Sequence, residues 1–340
     1  MQAYLEIDMS ERMDKELSRS SLGENTSPLV SVVIPVFNAE KTLQGCLSAV
    51  VSQEFPKEHY EVIVVDNGSS DGTWSLIQSY GSQVRGLQES KVQSSYAARN
   101  AGVRASRGAL IAFTDADCVP DIGWLRHVLK TFENSRVGCV AGEVLPFNPV
   151  APVEKFSAQA GILRQSKTLN HRYRPYAQTA NVTYRRKVFE QIGLFNGSLK
   201  SGGDADFCWR MQAQTGWELF FNDAATVQHR HRSNTRDLWK QYVRYAQGHN
   251  SLRLLYPDYR QPFRGNVSGC LRKLIALGKQ TGKYLGCTLM MLNTERVSRE
   301  AMAFAFYDFV RHSAYIFGRV RGARGKVSKS PDVLQSMSSV

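Results

Sequence analysis

The chain has 340 residues, 42% of them hydrophobic and 21% charged, which fits one large core or two modest ones and excludes a disordered or fibrous chain. No apolar run is long enough to span a membrane, and the N-terminus lacks the apolar segment of a signal peptide, so a cytoplasmic protein is expected. The six cysteines contain no CxxC pair, which argues against a disulfide framework or a zinc site and fits reduced thiols.

Residues 1–28 read as a polar lead-in. Residues 31–38 (SVVIPVFN) form an apolar strand and a turn, with Pro35 ending the ladder because it has no amide hydrogen. Residues 41–53 have helical spacing, with Leu43, Leu47, Val50 and Val51 apolar. A second buried strand, residues 60–65 (YEVIVV), runs into the turn cluster DNGSSDGT and a helix over 73–80. Strands alternating with helices at this spacing predict a parallel sheet whose loops gather at one edge.

Residues 91–106 read as a loop and then a helix carrying Arg99 and Asn100. The apolar run LIAF at 110–113 is the central strand. It stops at Thr114, and Asp115 and Asp117 follow. In extended backbone, residues i and i+2 share a side, so both carboxylates can face one spot past the strand end. Ligands of open α/β sheets sit at that edge. Hard divalent ions take one or two carboxylates plus substrate phosphates. The bland alternative is a solvated acidic turn that caps the next helix. Asp66 ends its own strand at the same edge and becomes a spatial neighbour of the pair.

A helix over 124–132 and a strand over 137–146 come next. Residues 148–175, with Arg164, Lys167, Arg172 and Arg174, have no decisive pattern and are open to reading as a mobile loop. Residues 176–195 suggest a strand and a helix ending near Gly193. Gly202 and Gly203 free the backbone ahead of Asp204 and Asp206, where a helix starts. Either aspartate has a plain reading as a cap, and Asp206 another as a partner of Arg210. Residues 218–232 hold a strand, followed by His229 and His231. A basic amphipathic helix follows at 237–255. Helical sequence then runs to about residue 321, with apolar clusters around Cys287 and over 302–317, before a polar tail. The expected organisation is a lead-in (1–28), an α/β domain (29–232), a basic helical region (233–321) and a tail (322–340).

The net charge of +13 belongs to the last third: residues 229–330 hold twenty Lys or Arg against five Asp or Glu. Such a segment suits nucleic acid, anionic lipid or an anionic substrate.

Taken in order, Pro-x-Phe-Asn, Asp-Asn-Gly-Ser-Ser-Asp-Gly-Thr, Ala-Arg-Asn-Ala-Gly, Asp-Ala-Asp and Gly-Gly-Asp-Ala-Asp-Phe-Cys-Trp-Arg resemble the inverting glycosyltransferases of family 2, over about residues 30–255. The resemblance implies a GT-A fold: an α/β, Rossmann-like, mostly parallel sheet flanked by helices, here with a C-terminal helical extension. It also implies transfer from a nucleotide-diphosphate sugar, expected to be a UDP-sugar, to a hydroxyl of a carbohydrate or lipid-linked acceptor, assisted by Mn²⁺ or Mg²⁺. Pro35, Phe37, Asn38 and Glu40 match the nucleotide-binding loop, and Asp66 matches the carboxylate that meets the base. Arg99 and Asn100 match the motif near the diphosphate and sugar. Asp115 and Asp117 match the Asp-x-Asp motif, whose second carboxylate binds the metal, and His229 matches a histidine that completes the metal shell in some members. Asp204 aligns with the catalytic base. Asp206, Gln241 and Arg244 are assigned to acceptor binding or gating, the last two through a variant of the Gln-x-x-Arg-Trp motif. Three positions depart from the pattern: Gly203 replaces the Glu of the Glu-Asp pair, Ser94 stands where glycine is usual, and Tyr245 stands for the tryptophan of processive members.

The chemistry needs these groups. A cation stabilises the departing diphosphate as a Lewis acid, and a carboxylate takes the acceptor's proton, an effect of about 10²–10⁴-fold. The transition state is expected to be oxocarbenium-like. Two other readings are an inactive nucleotide-sugar binder, because of Gly203, and a nucleic-acid-binding protein. The second is disfavoured, since no zinc-finger or RNA-binding signature is present and strand-end carboxylates repel a phosphate backbone. Two readings of the basic helices stand side by side: they lie on an anionic membrane surface, at the inner face of a membrane, or they form a helical subdomain that buries its aromatics against the sheet and leaves its charges in water.

Overall fold

Eight strands join in one sheet: β1 (Val30–Val36), β2 (Tyr60–Asp66), β3 (Arg85–Gln88), β4 (Leu110–Thr114), β5 (Cys118–Pro120), β6 (Val137–Pro146), β7 (Asn181–Arg185) and β8 (Glu218–His229). Their order is β3-β2-β1-β4-β7-β6-β8-β5. The computed structural model describes residues 28–259 and 298–322, with 278, 279 and 282 between them. Most of the expected lead-in, the apolar cluster around Cys287 and the tail from 323 lie outside the described residues.

β1 to β4 pair in parallel, and α1 (Glu40–Val51), α2 (Thr73–Ser79) and α3 (Ser95–Ala105) return the chain between them. β7 runs against β4 and β6, β5 runs against β8, and β6 and β8 are parallel. Val36 pairs with Asp66 and Val33 with Phe113, so β1, β2 and β4 end at one edge. β7 enters from that edge, with Asn181 opposite Thr114. The strand ends therefore converge where the acidic residues sit.

Every residue of β1 is buried, because helices cover both faces of the sheet. On one face Val32 and Ile34 meet a core with Leu43 and Leu47 of α1 and Trp124 of α4 (Trp124–Thr131). On the other, Val33 and Phe113 meet α3, α7 (Arg186–Ile192) and α8 (Gly203–Gln214). Phe113 meets Phe195 edge-on and Phe195 meets Phe207 at a tilt there, with ring centroids 5.4 and 4.5 Å apart. Truncating such a ring costs about 3–5 kcal/mol.

The stretch open to reading as a mobile loop holds two helices, α5 (Pro152–Gln159) and α6 (Gln165–Leu169). Pro152 suits a first helical turn, and the Glu154 carboxylate accepts from the Val150 and Ala151 amides at 2.9 and 2.8 Å. The sequence pattern lacked a periodic apolar stripe long enough to reveal them. α9 (Thr235–Leu255) and α10 (Arg299–Arg321) are capped by Asn234 and Ser298. α10 packs along α9 and over α5, with Phe156 and Phe304 5.7 Å apart and Trp239 and Phe317 5.9 Å apart. Among the described residues, no helix is long and apolar enough to cross a membrane.

Candidate active site

An open cleft of about 1020 Å³ lies at the shared strand edge. Pro35, Phe37, Asn38, Glu40, Arg99, Asp115, Asp117, Asp204 and Arg244 all line it. Eight Lys or Arg face five carboxylates in its walls, so the cleft favours a polyanion.

The loops after β1 and β2 are stitched together. The Asn38 amide donates to the Ser69 hydroxyl at 2.9 Å, and the Ser70 amide donates to Asn38 Oδ1 at 2.8 Å. Asn38 has φ 49°, a left-handed conformation that asparagine tolerates. Glu40 Oε2 accepts from the Gly72 amide at 3.2 Å. Burial pushes the Asp71 carboxyl up slightly, but hydrogen bonds from the Thr73 hydroxyl and amide hold it below the usual range.

Beyond β4 the acid pair splits its partners. Asp115 takes a 2.5 Å ion pair from Arg99, whose side chain is 4% exposed. The Arg99 guanidinium also lies 5.4 Å from the centre of the Tyr96 ring. Asp117 Oδ2 meets Arg232 at 3.4 Å and His229 Nε2 at 3.5 Å. The β5–β8 pairing sets Cys118 opposite His229, which explains that second meeting. Burial opposes ionisation of Asp117, but His229 and Arg232 more than offset it and hold the carboxyl well below the usual range. Burial and the neighbouring His229 push His231 down to about 4.

Asp204 opens helix α8. Gly202 before it has φ 84°, which turns the chain into the helix. Asp204 Oδ1 accepts from the Ala205 amide at 3.0 Å and the Tyr96 hydroxyl at 3.3 Å. Burial raises the Asp204 carboxyl above its ordinary value, and the Ala205 amide, the Arg99 charge and the Tyr96 hydroxyl restrain the rise. A carboxyl raised above its ordinary value is a stronger base than a free carboxylate. Tyr96 is a residue that sequence reasoning missed, although it precedes the Arg99 motif by one helical turn. A Cβ on Gly203 would stand 2.8 Å from the Tyr96 ring, so the tyrosine occupies the space a side chain at 203 would need.

Five of the expected residues do not line the cleft. Asp66 is buried beneath the second loop, where its Oδ1 accepts from the Ser69 amide and hydroxyl at 3.1 and 2.5 Å. Asn100 is fully buried and clamps the Phe195 backbone, donating to its carbonyl at 2.8 Å and accepting from its amide at 3.0 Å. Asp206 was expected near the acceptor. Instead it forms a buried 3.1 Å ion pair with Arg210 and accepts from the Tyr256 hydroxyl at 2.7 Å. Gln241 is buried and donates to the Tyr245 hydroxyl at 3.0 Å. His229 is buried behind Asp117, and its Nδ1 has no partner among the described residues. Conversely, Arg311 and Tyr315 of α10 enter the cleft.

Among the described residues no trio of His, Cys, Asp or Glu is gathered to hold a metal. The oxygen donors of Asp115 and Asp117 still fit a Mg²⁺ or Mn²⁺ ion, because such ions complete their shell with substrate phosphates and water.

The model of the family described as Glycosyl transferase family 2 matches residues 31–193. Glycosyltransferase AglE of Haloferax volcanii is 38% identical over 204 residues, covering 58% of this chain and 65% of that protein. The pre-mycofactocin glycosyltransferase of Mycobacterium tuberculosis is 28% identical over 289 residues, covering 83% of this chain and 59% of that protein. The chain thus spans about 59 to 65% of the length of these curated relatives. Among solved structures, the mannosyltransferase PcManGT from Pyrobaculum calidifontis, in complex with GDP-Man and Mn²⁺, shares the fold with a TM-score of 0.58 at 17% identity, covering 88% of each chain.

Proposed function

We propose that this chain, whose residues 31–193 match the family model described as Glycosyl transferase family 2, moves a sugar from a nucleoside-diphosphate donor to a hydroxyl acceptor, with inversion at the anomeric carbon. The observation that carries this reading is that Asp115, Asp117 and Asp204, from two distant stretches of chain, line one cleft. The glycosyltransferase names of AglE and the mycobacterial relative support the reaction class. UDP is the expected nucleotide of the donor.

In this mechanism Asp204 accepts the proton of the acceptor hydroxyl. The acceptor oxygen bonds to the anomeric carbon as the carbon–oxygen bond to the diphosphate breaks, and the bonding pair leaves with the diphosphate. Tyr96 and the Ala205 amide fix the Asp204 carboxylate for that transfer. Arg99 holds Asp115 in place, and Arg232 and His229 hold Asp117. Asp115 and Asp117 would hold a divalent cation, which supplies Lewis-acid stabilisation of the leaving diphosphate.

A thermal-shift panel tests the donor site. UDP and GDP are added to the protein with and without Mn²⁺. A ligand at about 100 times its Kd stabilises the fold by about 2.7 kcal/mol. The expected result is a Mn²⁺-dependent rise in Tm with UDP that disappears in Asp117→Ala. No rise with either nucleotide, with or without Mn²⁺, overturns the proposal.

A further inference from the structure

We propose that Ser94 is a positioning residue for the base: its hydroxyl ties the N-terminus of α3 to the loop that delivers Asp204, and so keeps the hydrogen bond between Tyr96 and Asp204 closed. The inference rests on the reading of Asp204 as the base and deepens it.

Helix α8 is entered through Gly202 and Gly203. Two successive glycines leave the backbone loose, so the place of Asp204 has to be fixed from outside. Ser94 supplies one tie. It caps α3 in an extended conformation, with φ −154° and ψ 134°, and its Oγ accepts from the Tyr96 amide at 3.3 Å. The same hydroxyl donates to the Leu199 carbonyl at 3.0 Å. Ser94 and Leu199 are both buried, so water does not readily replace either partner. Two residues further along α3, the Tyr96 hydroxyl donates to Asp204 Oδ1 at 3.3 Å. Helix α3 therefore grips the chain on both sides of the glycines, at Leu199 through Ser94 and at Asp204 through Tyr96.

Helix α9 closes the other side of the loop. A Cβ on Gly248 would stand 2.6 Å from the Ser201 carbonyl oxygen, and one on Gly202 would stand 2.9 Å from the Leu252 side chain. The loop is thus held between α3 and α9. A glycine at position 94, the residue usual there in the resembling sequences, has no hydroxyl and makes neither of the two bonds. Ser94 does not itself line the cleft, so its effect passes through Asp204 and not through the donor.

The titratable and charged groups near Asp204 are Tyr96 and Arg99 of α3, Tyr176 ahead of β7, Cys208 of α8 and Tyr245 of α9. Loss of the Ser94 hydroxyl loosens the Tyr96 bond, while Tyr176 and Tyr245 stay in place and keep the carboxyl covered. The Asp204 carboxyl then titrates at higher pH, because a hydrogen bond to its charged form is lost.

Carbon-13 NMR of the full chain, labelled at the aspartate carboxyl carbons, tests the proposal, with Asp204→Asn assigning the resonance. Ser94→Ala and Ser94→Gly are each expected to raise the pH at which Asp204 titrates by about 0.4–1 unit, the equivalent of one hydrogen bond. Ser94→Thr keeps the hydroxyl and should titrate as the wild type does. In a Tyr96→Phe chain, Ser94→Ala should add no further shift. Tm shows that each variant folds, and UDP with Mn²⁺ should bind the Ser94 variants within about threefold of the wild type. An unmoved titration in both Ser94→Ala and Ser94→Gly, a shift in Ser94→Thr as large as in Ser94→Ala, full additivity with Tyr96→Phe, or a larger loss of UDP affinity overturns the proposal. Failure of the wild-type chain to bind UDP with Mn²⁺ rejects the transferase reading instead, and the carboxyl titration judges the tie between Ser94 and Asp204 separately.

Discussion

Gly203 and Tyr96 share one space: a Cβ at position 203 would lie 2.8 Å from the tyrosine ring. Real Cβ atoms do not approach a ring so closely, so one partner must move. Gly203→Ala should therefore destabilise the protein by about 1–3 kcal/mol, the range for overpacking. Tyr96→Ala in the same chain should remove most of that added cost. Urea denaturation of the four proteins in the cycle checks it, and additive effects would show that the two positions do not compete.

The Tyr96 hydroxyl also bears on pH dependence. The proposed base must be ionised, so kcat/KM falls as pH drops through the Asp204 pKa. Burial raises that pKa, and the Tyr96 hydroxyl is among the groups that restrain it. Tyr96→Phe removes the restraint, and the acid limb should move to higher pH by up to about one pH unit, the equivalent of one hydrogen bond. The pH profile of donor turnover, followed as nucleoside diphosphate release, reads this directly. A profile with an unmoved acid limb separates Tyr96 from the base.

Arg99 is buried and its ion pair with Asp115 is the shortest contact in the acid cluster. Removing Asp115 leaves the buried guanidinium uncompensated, whereas removing Arg99 leaves a carboxylate that is 31% exposed and can be hydrated. Asp115→Ala should therefore cost more in unfolding free energy than Arg99→Ala, and Arg99→Ala/Asp115→Ala together should cost less than Asp115→Ala alone. Chemical denaturation measures all three.

Asn100 gives the opposite kind of expectation. Its amide clamps the Phe195 backbone rather than the cleft. Asn100→Ala should cost about 1–3 kcal/mol for each backbone group left unpaired. UDP affinity, measured by titration at a temperature where the variant is folded, should change less than about threefold, under 1 kcal/mol. A larger loss would return Asn100 to the donor site.

Much of the α/β framework was legible because it is written locally. The run Leu110–Thr114 ends at a carboxylate, and the turn chemistry after Asp66 ends β2 at the same edge. Glycines mark the entry to α8. What escaped was non-local. No spacing in the sequence shows that β5 pairs with β8 and so brings His229 beside Asp117. Nor does it show that Asn100 reaches Phe195, or that Arg311 reaches a cleft built some two hundred residues earlier. The Asp206–Arg210 pair at i, i+4 was readable as a helix contact, but its closure by Tyr256 was not.

The central claim is that Asp204 takes the acceptor's proton, and Asp204→Asn tests it most directly. The variant should bind UDP with Mn²⁺ as the wild type does, while donor turnover falls by about 10²–10⁴-fold. Turnover at the wild-type rate in a variant that still binds the nucleotide would contradict the account.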